Sequence, residues 1–239
     1  MAIAIVGTWA QSTGRFVTTK TSGTRTTTAG NAIVVLAHVR APASPSFGTS
    51  DVTDSKGNTY TRLAFKIQTN GSQYAGTGIY YCANPGSMGA SHTVTYTDTA
   101  ASNCTIHIEA IEISGQDTAG GADVTATDGN SSSGTPSTGT TAATAQADEI
   151  AIATAGGYNA AAPSITATPS GYTDIANTAA TDGFLGMSAY KILSATGTQT
   201  ASWTIDQTTS IVCGAIATIK AAAAVATGMG WANAKGGWW

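Results

Sequence analysis

The chain has 239 residues, a net charge of −3 and only 10% charged residues, where an average soluble domain carries about 25%. Its 10 Lys and Arg stand singly rather than in clusters, which excludes the basic patch a nucleic-acid backbone requires. No apolar run approaches the roughly 18 residues of a membrane-spanning helix, so neither nucleic acid nor membrane is expected as a partner.

Period-2 alternation and β-branched residues dominate from the start, and helical periodicity is nearly absent. The opening Met1-Ala2-Ile3-Ala4-Ile5-Val6-Gly7 lacks a basic n-region, and its apolar run is too short for a signal peptide. The chain is therefore expected to be made in a cytoplasm and used without export. The pattern predicts strands over 3–8, 25–28, 32–40, 59–66, 78–83, 92–97 and 104–113. A second set is predicted over 150–155, 165–168, 173–176, 186–193, 201–206 and 212–219. Asp54-Ser55-Lys56-Gly57-Asn58, Asn84-Pro85-Gly86, Thr168-Pro169-Ser170-Gly171 and Thr196-Gly197 separate them, supplying the left-handed and proline positions that tight turns need.

The two sets read as one pattern written twice, over about 30–113 and 147–220. Each copy has an apolar strand, a Gly-bearing turn, a Tyr-Thr-x-[Leu/Ile]-Ala strand (Tyr60 in one, Tyr172 in the other) and a closing apolar strand. Within strands one face is apolar and one polar: Ile106, Ile108 and Ala110 alternate with His107 and Glu109. That is the signature of antiparallel sheets packed on one side. The expected fold is all-β, an antiparallel, jelly-roll-like β-sandwich over 1–220 built from two pseudo-repeated halves that share one core. The Ser/Thr/Gly-rich stretch 118–146, which contains Asp123-Val124-Thr125-Ala126, interrupts the rhythm and reads as either a flexible crossing connection or an edge strand with long loops, its composition favouring mobility.

After Lys220 the pattern stops, and 221–239 reads as an Ala/Gly/Trp-rich C-terminal arm. Three of the five tryptophans, Trp231, Trp238 and Trp239, lie in the last nine residues. Trp is enriched at interface hot spots, so these three are the expected partner-binding residues. Docking back on the parent sandwich is the plainer alternative.

No catalytic pattern emerges. His38, His92 and His107 fall in separate predicted strands, no G-x-S-x-G or H-E-x-x-H occurs, and Glu109 and Glu112 are expected on opposite strand faces. Asp51, Asp54 and Asn58 surround a turn and could offer oxygen ligands to Ca²⁺, but a hairpin turn demands the same residues; Asp123 with Asp128 is weaker still. Tyr74 and Tyr158 read as loop aromatics, the residue type that contacts a sugar in a carbohydrate-binding surface. Cys82, Cys104 and Cys213 show no C-x-x-C spacing and read as buried thiols. No enzyme activity, cofactor or metal is expected.

Val52-Thr53-Asp54-Ser55-Lys56-Gly57-Asn58-Thr59-Tyr60, Ile79-Tyr80-Tyr81-Cys82-Ala83-Asn84, Thr93-Val94-Thr95-Tyr96 and Glu109-Ala110-Ile111-Glu112-Ile113-Ser114-Gly115 follow one another. This succession resembles a β-sandwich family of tailed-bacteriophage virion proteins, also found in some bacterial surface proteins, over roughly 31–220. The resemblance rests on turns and strand faces and carries over no functional residue. It implies a structural protein on the virion surface. A capsid decoration (cement) protein, the role that a single-domain β chain with an anchoring arm fits best, would bind the major capsid protein or another virion protein and form a homo-oligomer, with a trimer expected. A tail-fibre or receptor-binding protein and a carbohydrate-binding surface module are the alternatives.

Overall fold

The computed structural model describes residues 2–130, 133–179, 182–206 and 211–223, and these form strands without a helix. The first half contains β1 (Ala4–Thr8), β2 (Ser12–Val17), β3 (Thr19–Thr21), β4 (Ala32–Ala41), β5 (Val52–Asp54), β6 (Thr61–Thr69), β7 (Tyr74–Cys82), β8 (Val94–Thr97) and β9 (Cys104–Ser114). The second contains β10 (Ala122–Asn130), β11 (Asp148–Tyr158), β12 (Ile165–Ala167), β13 (Thr173–Ala179), β14 (Phe184–Ser194), β15 (Thr204–Ile205) and β16 (Ile211–Lys220).

One large sheet has the order β1-β9-β4-β7-β6, with β2 also on β9, and the other has the order β10-β16-β11-β14-β13. The orders correspond strand for strand, β1 to β10, β9 to β16, β4 to β11, β7 to β14 and β6 to β13. The pairings are antiparallel. Small sheets, β3-β8-β5 in one half and β12-β15 in the other, lie outside them. The structural repeat thus reaches further toward the N-terminus of each half than the sequence pattern does, because β1 and β10 belong to it.

Of the two readings of 118–146, the structure takes the edge strand, followed by a stretch that covers the sheet. β10 pairs with β16. The backbone beyond it runs beside β15, where Ile205 N donates to Gly134 O, Trp203 N to Pro136 O and Thr138 N to Ala201 O. Backbone pairing needs no apolar side chains, which is why a Ser/Thr/Gly composition that favours mobility is compatible with an edge strand.

The fold is an all-β, antiparallel sandwich in which the two large sheets pack against each other and share a core. Val34, Leu36, Ile79, Ile111, Ile113, Ile150, Ile152 and Ile219 meet there. Each half also closes a core of its own. Ile33, Val35, Val39, Tyr80, Tyr96 and Ile106 lie under the first small sheet, and Ala151, Ala153, Leu185, Met187, Trp203 and Ile205 under the second. β4 is accordingly buried on both faces, as a continuous run of aliphatic residues demands. Each Val, Leu or Ile fully buried contributes about 1.5–3 kcal/mol.

Two glycines set how closely the large sheets approach. A Cβ at Gly186 would stand 3.2 Å from the His38 ring, and one at Gly156 would stand 3.0 Å from the carbonyl oxygen of Gly76.

Candidate functional site

The shared layer turns polar at one end. β4 places His38 there, β9 places His107 and Glu109, β7 Thr77, β11 Thr154 and β14 Ser188, all buried. The sequence pattern assigns His107 and Glu109 to the polar, outward face of β9. That face is polar, but the second large sheet covers it.

Glu109 is the hub. Its Oε1 lies 3.1 Å from His38 Nε2 and 3.2 Å from His107 Nε2, and its Oε2 accepts the Ser188 hydroxyl from the opposite sheet. With Nε2 of each ring aimed at a carboxylate, both rings carry hydrogen there. Nδ1 of His107 is then free to accept from Thr13 Oγ1 at 2.8 Å. Thr77 Oγ1 meets Thr154 Oγ1 at 2.7 Å across the same seam. Burial alone would raise the Glu109 carboxyl, but hydrogen bonds from His107 and His38 outweigh it and hold the pKa near about 2. Burial dominates at His38 and lowers its pKa despite the bond to Glu109. Beyond the cluster, Asp182 accepts from Thr105 at 2.6 Å and pairs with Arg15 at 3.3 Å and Arg40 at 3.6 Å.

His92 belongs to a second, separate knot. Its Nε2 lies 2.9 Å from Asp54 Oδ2 and its Nδ1 lies 3.0 Å from Thr27 Oγ1. The order hydroxyl, imidazole, carboxylate is that of a nucleophilic triad, but His92 is 0% exposed. Thr27 Oγ1 is also engaged with Gly89, accepting from its N–H at 3.0 Å. Asp54 accepts further from Lys56 N, Asn58 N, Asn58 Nδ2 and Tyr60 Oη. Against burial, the bonds from Asn58, His92 and Tyr60 hold its pKa below the ordinary value. A carboxylate so supplied with donors organises a turn. Asp51 likewise accepts from Ser46 Oγ and Gly48 N. Among the described residues no group of three or more His, Cys, Asp or Glu is placed to hold a metal ion.

The other residues weighed from sequence are dispersed. Glu112 lies on the face of β9 opposite Glu109 and binds Arg25, Thr28 N and Asn31. Tyr74 begins β7 and Tyr158 ends β11, under the Arg40 guanidinium at 4.4 Å, so these rings sit at strand ends rather than in loops. Tyr60 is buried, and Tyr172 is half-buried beneath Lys191. The cysteines are free and buried. Burial pushes Cys82 up to about 11 and Cys104 and Cys213 up to about 12, which leaves them unreactive thiols. Asp123 and Asp128 stand toward opposite ends of β10, and Asp123 pairs with Lys220. Trp231, Trp238 and Trp239 lie outside the described residues.

Sequence reading missed Ser188 as a partner of Glu109 and Thr77 and Thr154 as partners of each other and of His38, because period 2 distinguishes two faces of a strand without telling what covers each. The signal available was a histidine and a glutamate two positions apart in an otherwise aliphatic strand.

No protein-family model matches the chain, and no curated protein matches it. Among solved structures, a chain of Cucumber Leaf Spot Virus is 13% identical over 95% of this chain and 92% of that one, with a TM-score of 0.19. The C-terminal domain of the Streptococcus agalactiae AgI/II polypeptide BspA is 8% identical over 84% and 88%, with a TM-score of 0.16. Neither likeness carries an argument.

Proposed function

We propose that the chain is a non-enzymatic structural protein of a tailed-phage virion, a decoration protein that stabilises the head by bridging capsid subunits. The observation that carries this reading is the inversion of its chemistry. Histidine and carboxylate clusters are turned inward to join strands, while uncharged hydroxyls face outward. On the first small sheet Thr19 pairs with Thr97, and Thr21 with Thr95, through their exposed hydroxyls; Thr53 stands beside Thr95 in the same row. A flat face of this kind makes salt-tolerant contacts, since few charges are there to be screened. The sequence resemblance to phage sandwiches supports the same reading. A bridging protein stabilises a joint by its own binding free energy, and Trp231, Trp238 and Trp239 supply anchors of about 2 kcal/mol or more for each that acts as a hot spot.

The test is to add purified chain to undecorated phage heads and follow co-sedimentation and the temperature of head opening. Saturable binding with a raised opening temperature is expected, and loss of both on deleting 230–239 while the β-sheet circular dichroism is retained. Absence of binding to heads, or full occupancy by the truncated chain, would overturn the reading of the head or of the arm respectively.

A further inference from the structure

On the outer face of the second large sheet, three neighbouring strands place Asp123 of β10, Lys220 of β16 and Glu149 of β11 in one row. Glu149 and Lys220 are direct partners in the β11–β16 ladder, and Lys220 Nζ lies 3.0 Å from Asp123 Oδ1. The other oxygen of Asp123 accepts the Ala145 N–H at 2.6 Å. Glu149 is 0% exposed, and neither of its carboxyl oxygens has a partner at hydrogen-bonding geometry. Thr218 and the Gln146 backbone lie close enough to favour its charged form, but a buried carboxyl with no well-formed hydrogen bond, beside an amine and a second carboxyl, calls for a chemical account.

We propose that Lys220 and Asp123 join in an intramolecular isopeptide bond, with Glu149 carrying the protons. Burial and the neighbouring Asp123 carboxylate raise the Glu149 pKa, which favours its protonated form. Against burial, the Ala145 N–H and Lys220 lower the Asp123 pKa, and the bond that Lys220 donates to Asp123 raises that of Lys220. In the proposed starting state the Lys220–Asp123 ion pair stands beside a protonated Glu149. Lys220 first passes one proton to Asp123 Oδ1, and the freed lone pair of Nζ attacks Cγ, forming the C–N bond. Charge developing on Oδ2 meets the Ala145 N–H already aimed at it. Glu149 gives its proton to the departing hydroxyl, the Cγ–Oδ1 bond breaks, and water leaves. The Glu149 carboxylate then recovers a proton from the nitrogen. One ammonium and one carboxylate have become one amide and one water, with no oxidant or cofactor. Holding both reactants in place substitutes for an effective concentration of about 10⁵–10⁸ M. The bond would staple the edge strand β10 to β16. The inference does not depend on the virion reading.

The test is the intact mass of the denatured full chain, followed by peptide mapping. The wild type is expected to be lighter by one water and to yield a branched peptide joining Asp123 to Lys220. Lys220→Arg, which keeps the ion pair, is expected at full mass, and Glu149→Gln should form the bond at least about a hundredfold more slowly. A wild-type chain at full mass overturns the proposal. So does a water loss that persists in Lys220→Arg, which would mark a succinimide at Asp128-Gly129 or Asp182-Gly183. Equal rates in wild type and Glu149→Gln would remove Glu149 from the mechanism.

Discussion

The two ends of the seam between the large sheets hold the halves together by different physics. At one end Val34, Leu36, Ile111, Ile113, Ile150 and Ile152 pack without directional contacts, and such a layer supplies energy but tolerates sliding. At the other, Glu109 binds His38 and His107 on its own sheet and Ser188 on the opposite one. Hydrogen bonds to a buried carboxylate have fixed directions, so this end sets how one sheet sits on the other. The difference teaches that the cluster which looks most like chemistry is placed where a structural register is needed.

Acid should separate the two ends most strongly. His38 has a lowered pKa in the folded chain, so the unfolded chain takes the proton more readily, and stability falls as pH drops below about 6.5. Glu109, held near about 2 against an ordinary 4.5, contributes stability that is lost as pH falls from 4.5 toward 2. Glu149, with a raised pKa, acts in the opposite sense. Urea unfolding of wild type and Glu109→Gln across this range isolates the cluster, and the variant is expected to show the flatter profile.

Glu109→Ala comes next, at about 3–5 kcal/mol lost near neutral pH, because it strands two buried histidines and a serine. At the apolar end Ile111→Ala should lose about 2–5 kcal/mol, yet Ile111→Val only about 0.5–1.5, both without a new pH dependence. Gly186→Ala brings a methyl to 3.2 Å from the His38 ring and should cost about 1–3 kcal/mol by pushing the polar end apart. Denaturant midpoints measured at two pH values check all three.

Much of the fold was legible in the sequence. The aliphatic runs of β4, β9, β11 and β16 and the Asp54–Asn58 turn announced themselves, since alternation and turn chemistry are local properties. β10 was only one of two readings of its segment, because Ala122-Asp123-Val124-Thr125-Ala126-Thr127 carries few large apolar residues and is defined by its backbone pairing with β16. The site was less legible than the fold. His107 and Glu109 could be placed on one face, but Ser188, 79 residues from Glu109 in sequence, meets them only through the packing of two sheets. The Asp123, Glu149 and Lys220 row likewise depends on strand order and register, which no local pattern encodes.

The most direct test of the account is a double-mutant cycle between Glu109 and Ser188, using Glu109→Ala, Ser188→Ala and the pair. If the cluster joins the halves, the two changes should couple by about 1.5–3 kcal/mol, the range for a hydrogen bond to a charged group. Effects that add to within about 0.5 kcal/mol would contradict it, and would leave the apolar end as what holds the sheets together.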